Sequence, residues 1–314
     1  MPLDPQCQAL VDAAARSGSP FDSSDPRAAR RGYDAGTLVY RHATPPLNSV
    51  ANVVFAGPAD NVRVRIYRPR GVDAPAPALV YFHGGGWVVG NLESHDHLCR
   101  YLAAQARVVV VAVDYRLAPE HKFPAAFDDC VAAVRWVAAS ADELGVDAKR
   151  LAVGGDSAGG SLAAACALAI RDEAWPMLRL QLLLYPSTDF TADTASMRDN
   201  ASGYLLTRDA MEQFIDWYLP TRIARTDPRA SPQLAPDHSG LPPACILSAE
   251  FDPLRDEAHV YADTLEHAGV AVERKCYAGM VHGFMRMGGR VDRALTALDD
   301  AAAALRRALL VDGG

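Results

Sequence analysis

From residue 77 onward the chain repeats one pattern, a short unbroken apolar run followed by a longer stretch with helical spacing. The runs occupy residues 78–82, 108–113, 151–154, 180–185, 244–249 and 270–277. A strand that is apolar on both sides has to be covered on both sides, and parallel strands joined by crossover helices achieve this. Helical spacing fills the gaps at about 95–105, 125–139, 159–171, 208–219 and 257–267, and again after the last run at 291–309. The alternation predicts βαβ units wound on both sides of a mostly parallel sheet, an α/β fold.

Two segments upstream, 49–55 and 62–67, alternate apolar and polar residues around Gly57-Pro58-Ala59-Asp60-Asn61, which predicts an antiparallel strand pair at one sheet edge. Residues 1–48 carry two weakly amphipathic segments, 6–16 and 25–41, and read as an appendage. The interval 187–241 breaks the strand rhythm with polar and Pro residues around one aromatic helix, and reads as an insertion over the sheet. The expected organisation is one domain over 49–314, with 1–48 and 187–241 lying against it.

Composition narrows the function. Half the residues are hydrophobic and 22% are charged, enough apolar material for a large core and far from a disordered composition. A formal charge of -7 offers no attractive field to phosphate backbones or anionic lipid heads, so neither nucleic acid nor membrane is an expected partner. The longest apolar runs, 108–113 and 162–170, fall far short of the ~18 residues of a membrane span. The first residues lack the basic and apolar regions of a secretory leader. Six dispersed cysteines with no C-x-x-C pair read as free thiols in a reducing cytoplasm.

Gly155-Asp156-Ser157-Ala158-Gly159 follows one apolar run and opens a helical stretch, the setting that a nucleophile elbow requires. Glycines two before and two after the serine let backbone pass without Cβ clashes while the hydroxyl projects. Chance order would give G-x-S-x-G in roughly one such chain in ten, and a turn with Ser157 as helix N-cap is the competing reading. His83-Gly84-Gly85-Gly86 also follows an apolar run and is a much sharper signal. Successive bare N–H groups can stabilise an oxyanion; the alternative is a flexible loop or phosphate nest, weakened because no Gly-Lys-Ser/Thr follows.

A serine needs a base to take its proton and a third group to hold that base. Asp252 lies just past the run ending at Ala249, and His282 past the last run, giving the order Ser, Asp, His used with this kind of elbow. Asp252 also suits a helix N-cap before Pro253, and Glu250, Asp256 and Glu257 compete for the third place. His95-Asp96-His97 looks like a metal pair, but no third cluster has ligand spacing and Ser94 suits an N-cap, so no metal is expected.

With these residues the chain resembles the hormone-sensitive lipase family of α/β-hydrolases, the bacterial family IV esterases. The resemblance runs from about residue 77 to the end, through His83-Gly84-Gly85-Gly86-Trp87, Tyr115-Arg116-Leu117-Ala118-Pro119-Glu120-His121 with Phe123-Pro124-Ala125-Ala126, the elbow, Asp252-Pro253-Leu254-Arg255-Asp256-Glu257, and His282-Gly283-Phe284. It implies Ser157 as nucleophile, His282 as base and acid, Asp252 as its orienting carboxylate, and the amides of Gly84, Gly85 and Ala158 as oxyanion hole. It also implies a cap from the amino-terminal helices and the insertion, with Phe214, Trp217 and Tyr218 over the cleft, and pairing of two copies through 270–277.

Trp87, Phe214 and Tyr218 are the expected substrate-binding residues. Arg116, Glu120 and His121 are expected to brace the loop beneath the site, and His83 to fix the glycine loop. The expected activity is hydrolysis of small carboxylic esters through an acyl-enzyme, without a cofactor. An amide or formamide hydrolase with the same triad is the nearest rival, and a ligand receptor the rival of a different class.

Overall fold

The computed structural model describes residues 2–19, 21, 23–173 and 178–310. Eight strands form one sheet: β1 Ser49–Ala56, β2 Asn61–Arg68, β3 Ala76–Phe82, β4 Val109–Asp114, β5 Val146–Asp156, β6 Leu180–Leu184, β7 Ala244–Phe251 and β8 Val272–Val281. Among the described residues ten α-helices surround it: α1 Pro5–Ser17, α2 Pro26–Tyr40, α3 Asp96–Ala106, α4 Ala125–Ala139, α5 Ala141–Leu144, α6 Ala158–Asp172, α7 Ala195–Asp199, α8 Arg208–Tyr218, α9 Arg255–His267 and α10 Asp292–Leu310. The strand order is β1-β2-β4-β3-β5-β6-β7-β8. β1 and β2 are the antiparallel edge pair and β2 is antiparallel to β4, while every other pairing is parallel.

All seven positions of β3 are buried, which is why its sequence shows no alternation. Each fully buried Val or Leu of this kind contributes about 1.5–3 kcal/mol of burial free energy. Two strands depart from the sequence expectation. β5 begins at Val146, well before the apolar run, because its early residues Asp147, Ala148, Lys149 and Arg150 are only partly buried or exposed and its pairing with β3 shifts register there. β8 runs to Val281 and not from Val270, because its outer half is the exposed sheet edge, and Val270 packs into the core from the preceding loop.

An Asp-Pro pair starts each amino-terminal helix. Asp4 accepts hydrogen bonds from the N–H groups of Gln6 and Cys7, and Asp25 from those of Arg27 and Ala28, with the proline filling the first helical position, where no N–H is needed. These helices are less peripheral than their composition suggested. Cys7 and Ala29 are fully buried, and Arg30 of α2 donates to both carboxylate oxygens of Glu120 and to the carbonyls of Val88 and Ala118. α3 starts at Asp96 after His95, and Ser94 does not cap it; the Ser94 hydroxyl bonds within its own turn to Asn91. No helix among the described residues is long and apolar enough to cross a membrane.

Candidate active site

β5 ends in the elbow. Ser157 has φ 55 and ψ -119, a conformation that costs an L-residue on the order of 1–3 kcal/mol and survives only when its surroundings enforce it. They do so here. The Ser157 N–H donates to Leu184 O at 2.8 Å, and the helix behind it is pressed onto β3. A Cβ on Gly159 would lie 1.9 Å from Phe82 O, and one on Gly155 2.4 Å from the same atom, so both glycines are required by close approach. The serine side chain makes no capping bond to α6. Its Oγ lies instead 2.9 Å from His282 Nε2, and His282 Nδ1 lies 2.7 Å from Asp252 Oδ2.

Asp252 and His282 reach this point because β7 and β8 end side by side at the same sheet margin as β5. Asp252 is fully buried, and its second oxygen accepts the Leu254 N–H at 2.9 Å just before α9 begins. The competing acids have other partners. Glu250 accepts from the Gly279 N–H, Asp256 from Arg255 and the Ser196 N–H, and Glu257 from the N–H groups of Thr188 and Asp189. Gly283, beside His282, has φ +76, the left-handed turn that ends the strand.

The glycine loop requires a correction. The Gly84 N–H does not face the cleft: it donates to Asp156 Oδ1 at 2.9 Å and is spent there. Among the described residues no acceptor meets the N–H groups of Gly85, Gly86 and Ala158. Gly85 and Gly86 border the same cavity as Ser157 and His282, and Gly84 does not. Gly86, which sequence reasoning passed over, has φ +58 and a Cβ there would lie 2.3 Å from Phe214. The unpartnered N–H groups beside the cavity are therefore those of Gly85 and Gly86, one residue along the run from the expected pair.

Asp156, in the elbow sequence but given no role from it, holds the two loops together. It accepts from the Tyr81 hydroxyl at 2.7 Å as well as from Gly84, and His95 Nε2 lies 3.2 Å away. Burial pushes its carboxyl up, but His95, the field of Arg286 and the Tyr81 hydrogen bond outweigh it and hold it well below the usual carboxylate range. His83 stacks on Tyr115 with ring centroids 4.2 Å apart, and the Tyr115 hydroxyl donates to His83 O. Burial pushes the His83 imidazole down to about 3, so it is neutral and structural. His95 and His97 point to different partners, Asp156 and Arg286 O, and no group of three or more His, Cys, Asp or Glu among the described residues is placed to hold a metal. Arg116 grips Asp129 and Glu120 grips Arg30, both bracing contacts, while His121 is exposed.

A cavity of about 320 Å³ opens over Ser157 and His282. Trp87 and Phe214 are in its wall, and so are Phe21, Tyr33 and Ile215. Tyr218 is not: it is fully buried and stacks on Trp87 at 4.7 Å, so it supports the wall without forming it. Trp217 leans on Phe214 at 5.1 Å and is likewise absent from the wall. Tyr33 was missed, although Ala29, Tyr33 and Thr37 are the buried stripe of α2 at helical spacing.

Glu257 gives the site a pH-dependent anchor. Its Oε1 accepts from Thr188 and Asp189, beside Ser187 in the cavity wall, and burial pushes its carboxyl up to about 8. Unfolded, a glutamate releases its proton near about 4.3, so between the two values the folded chain binds more protons than the unfolded one. The contribution to stability is fully present below the unfolded value and is lost as pH rises through about 8. Melting curves between pH 6 and 9 should show that decline in the native chain and a flatter one in Glu257→Gln; parallel declines would contradict it.

Comparison with known proteins identifies the family. A model of the alpha/beta hydrolase fold family matches residues 79–286. Carboxylesterase NlhH of Mycobacterium tuberculosis is 46% identical over 252 residues, 79% of each chain. The ethyl acetate hydrolase of Pseudomonas putida is 42% identical over 306 residues, 94% of this chain and 95% of that one. Among solved structures, a hyperthermophilic esterase from the archaeon Pyrobaculum calidifontis superposes with a TM-score of 0.94 at 40% identity, covering 98% of this chain and 99% of that one. A match over most of the sheet and relatives alike along nearly their whole length place the chain in the alpha/beta hydrolase fold family, in its hormone-sensitive lipase-like branch.

Proposed function

We propose that the protein is a serine carboxylesterase that cleaves short- to medium-chain acyl esters through an acyl-enzyme. The observation that carries this reading is the unbroken chain from Asp252 Oδ2 through His282 to Ser157 Oγ, 2.7 and 2.9 Å, at the floor of a largely apolar cavity. Ser157 attacks the ester carbonyl while His282 Nε2 takes its proton, and Asp252 keeps the other ring nitrogen protonated and oriented. The N–H groups of Gly85, Gly86 and Ala158 receive the oxyanion. His282 then protonates the departing alcohol, and water repeats the sequence to release the acid. No step calls for a cofactor. Six free cysteines, five of them buried, support a cytoplasmic setting. The reading also has two copies pairing through β8, the free edge of the sheet.

Acyl length tests the substrate class. Each buried methylene adds ~0.8 kcal/mol until the cavity is full. With Trp87 and Phe214 closing the wall, p-nitrophenyl esters of roughly four to eight acyl carbons should turn over best, with a sharp fall at about twelve. Trp87→Ala should move the optimum to longer chains, because removing a ring that forms part of the cavity wall lengthens the space beside Ser157. An optimum near sixteen carbons with activation at an oil interface would instead indicate a lipase, and rapid formanilide cleavage without ester turnover an amide hydrolase.

A further inference from the structure

Arg286 stands apart from the other charged groups of the site. It lies four residues past His282, is only 7% exposed, and forms no ion pair with a carboxylate among the described residues. Its guanidinium rests on the face of Tyr33 at 4.1 Å and makes one long hydrogen bond, from Nη2 to Thr37 Oγ1 at 3.4 Å. Nε is sealed off without an acceptor. Nη1 has no hydrogen-bond acceptor among the described residues, and Arg286 borders the same cavity as Ser157 and His282. Asp156 lies within the field of Arg286, but its oxygens are already taken by Tyr81, Gly84 and His95.

A buried guanidinium with idle donors is costly unless something fills them, and its planar fork matches a carboxylate better than any neutral acceptor. We infer that Arg286 receives a carboxylate carried by the substrate, so that the protein prefers esters of which the acid or the alcohol part bears a second, free carboxylate. The inference rests on the ester-hydrolase reading of the same cavity. It assigns Arg286 to binding and selection, not to bond breaking, and it gives the second amino-terminal helix a part in recognition, since Tyr33 and Thr37 hold the guanidinium in place.

Two matched pairs test it. Mono-p-nitrophenyl adipate against p-nitrophenyl hexanoate places the carboxylate on the acid side, and 5-acetoxypentanoate against pentyl acetate, followed by pH-stat, places it on the alcohol side. In at least one pair the native enzyme should favour the anionic ester. Arg286→Met should cut that kcat/KM ratio by about tenfold or more, and Arg286→Lys should restore part of it. A ratio unchanged by Arg286→Met in both pairs would overturn the inference, as would a native enzyme that favours the neutral ester in both, a result that needs no variant to fold. Labelling of Ser157 by a fluorophosphonate is read alongside. Neutral-ester turnover without carboxylate preference overturns this inference alone, whereas no turnover and no labelling by the folded protein overturns the ester-hydrolase reading and this inference with it.

Discussion

Ser157→Ala and His282→Ala are each expected to lower kcat/KM for a p-nitrophenyl ester by about 10⁴-fold or more, and the double variant to lose little beyond either single change. In the proposed mechanism the nucleophile and its base act as one unit: without the imidazole 2.9 Å away, the serine hydroxyl would keep its proton, and without the serine the imidazole would have no proton to take. Residual catalysis would come from the free N–H groups of Gly85, Gly86 and Ala158 and from binding, which neither substitution touches. Stability should change little in Ser157→Ala, because Ser157 makes its structural contacts through its backbone, its N–H donating to Leu184 O and its O accepting from the Ser161 N–H. His282→Ala, by contrast, also leaves the buried Asp252 carboxylate without that partner and should cost some stability. Losses that add in log rate would show that the two residues do not share a step.

Asp252→Asn is expected to cost about 10⁴-fold in kcat, while Asp256→Asn costs little. An amide at position 252 can still accept the Leu254 N–H through its oxygen, so the turn into α9 survives. Its NH₂ would then face His282 Nδ1, which must become an acceptor, and the ring proton moves to Nε2 opposite Ser157, where a base is needed. Asp256 serves a different purpose, tying Arg255 to the start of α7 through the Ser196 N–H. The measurement is steady-state kcat for the two variants side by side, and a severe loss in Asp256→Asn with a mild one in Asp252→Asn would reverse the assignment.

The backbone plan was legible because buried parallel strands leave unbroken apolar runs, and the elbow because a strand, a G-x-S-x-G turn and a helix occur in that order. What escaped depends on contacts between distant residues. The polar start of β5 and the exposed outer half of β8 carry no apolar signal, so their limits were misplaced. The run of three glycines announced free N–H groups without saying which one Asp156 had taken, and that shifted the donors by one residue. Trp87 and Tyr218 are equally aromatic, yet their stacking puts one in the cavity wall and the other behind it. Arg286 gave no sequence signal at all, since an arginine in a chain rich in arginine is unremarked until its burial and missing partner are seen.

Covalent trapping reads out the proposed acylation of Ser157. Incubation with diethyl p-nitrophenyl phosphate should release one p-nitrophenolate per chain, abolish ester hydrolysis in step, and leave the diethylphosphoryl mass on the peptide that contains Ser157. Ser157→Ala should take up none. Inactivation with the adduct elsewhere, on the exposed Cys276 for example, or full ester turnover by a chain whose Ser157 is blocked, would rule out Ser157 as the nucleophile.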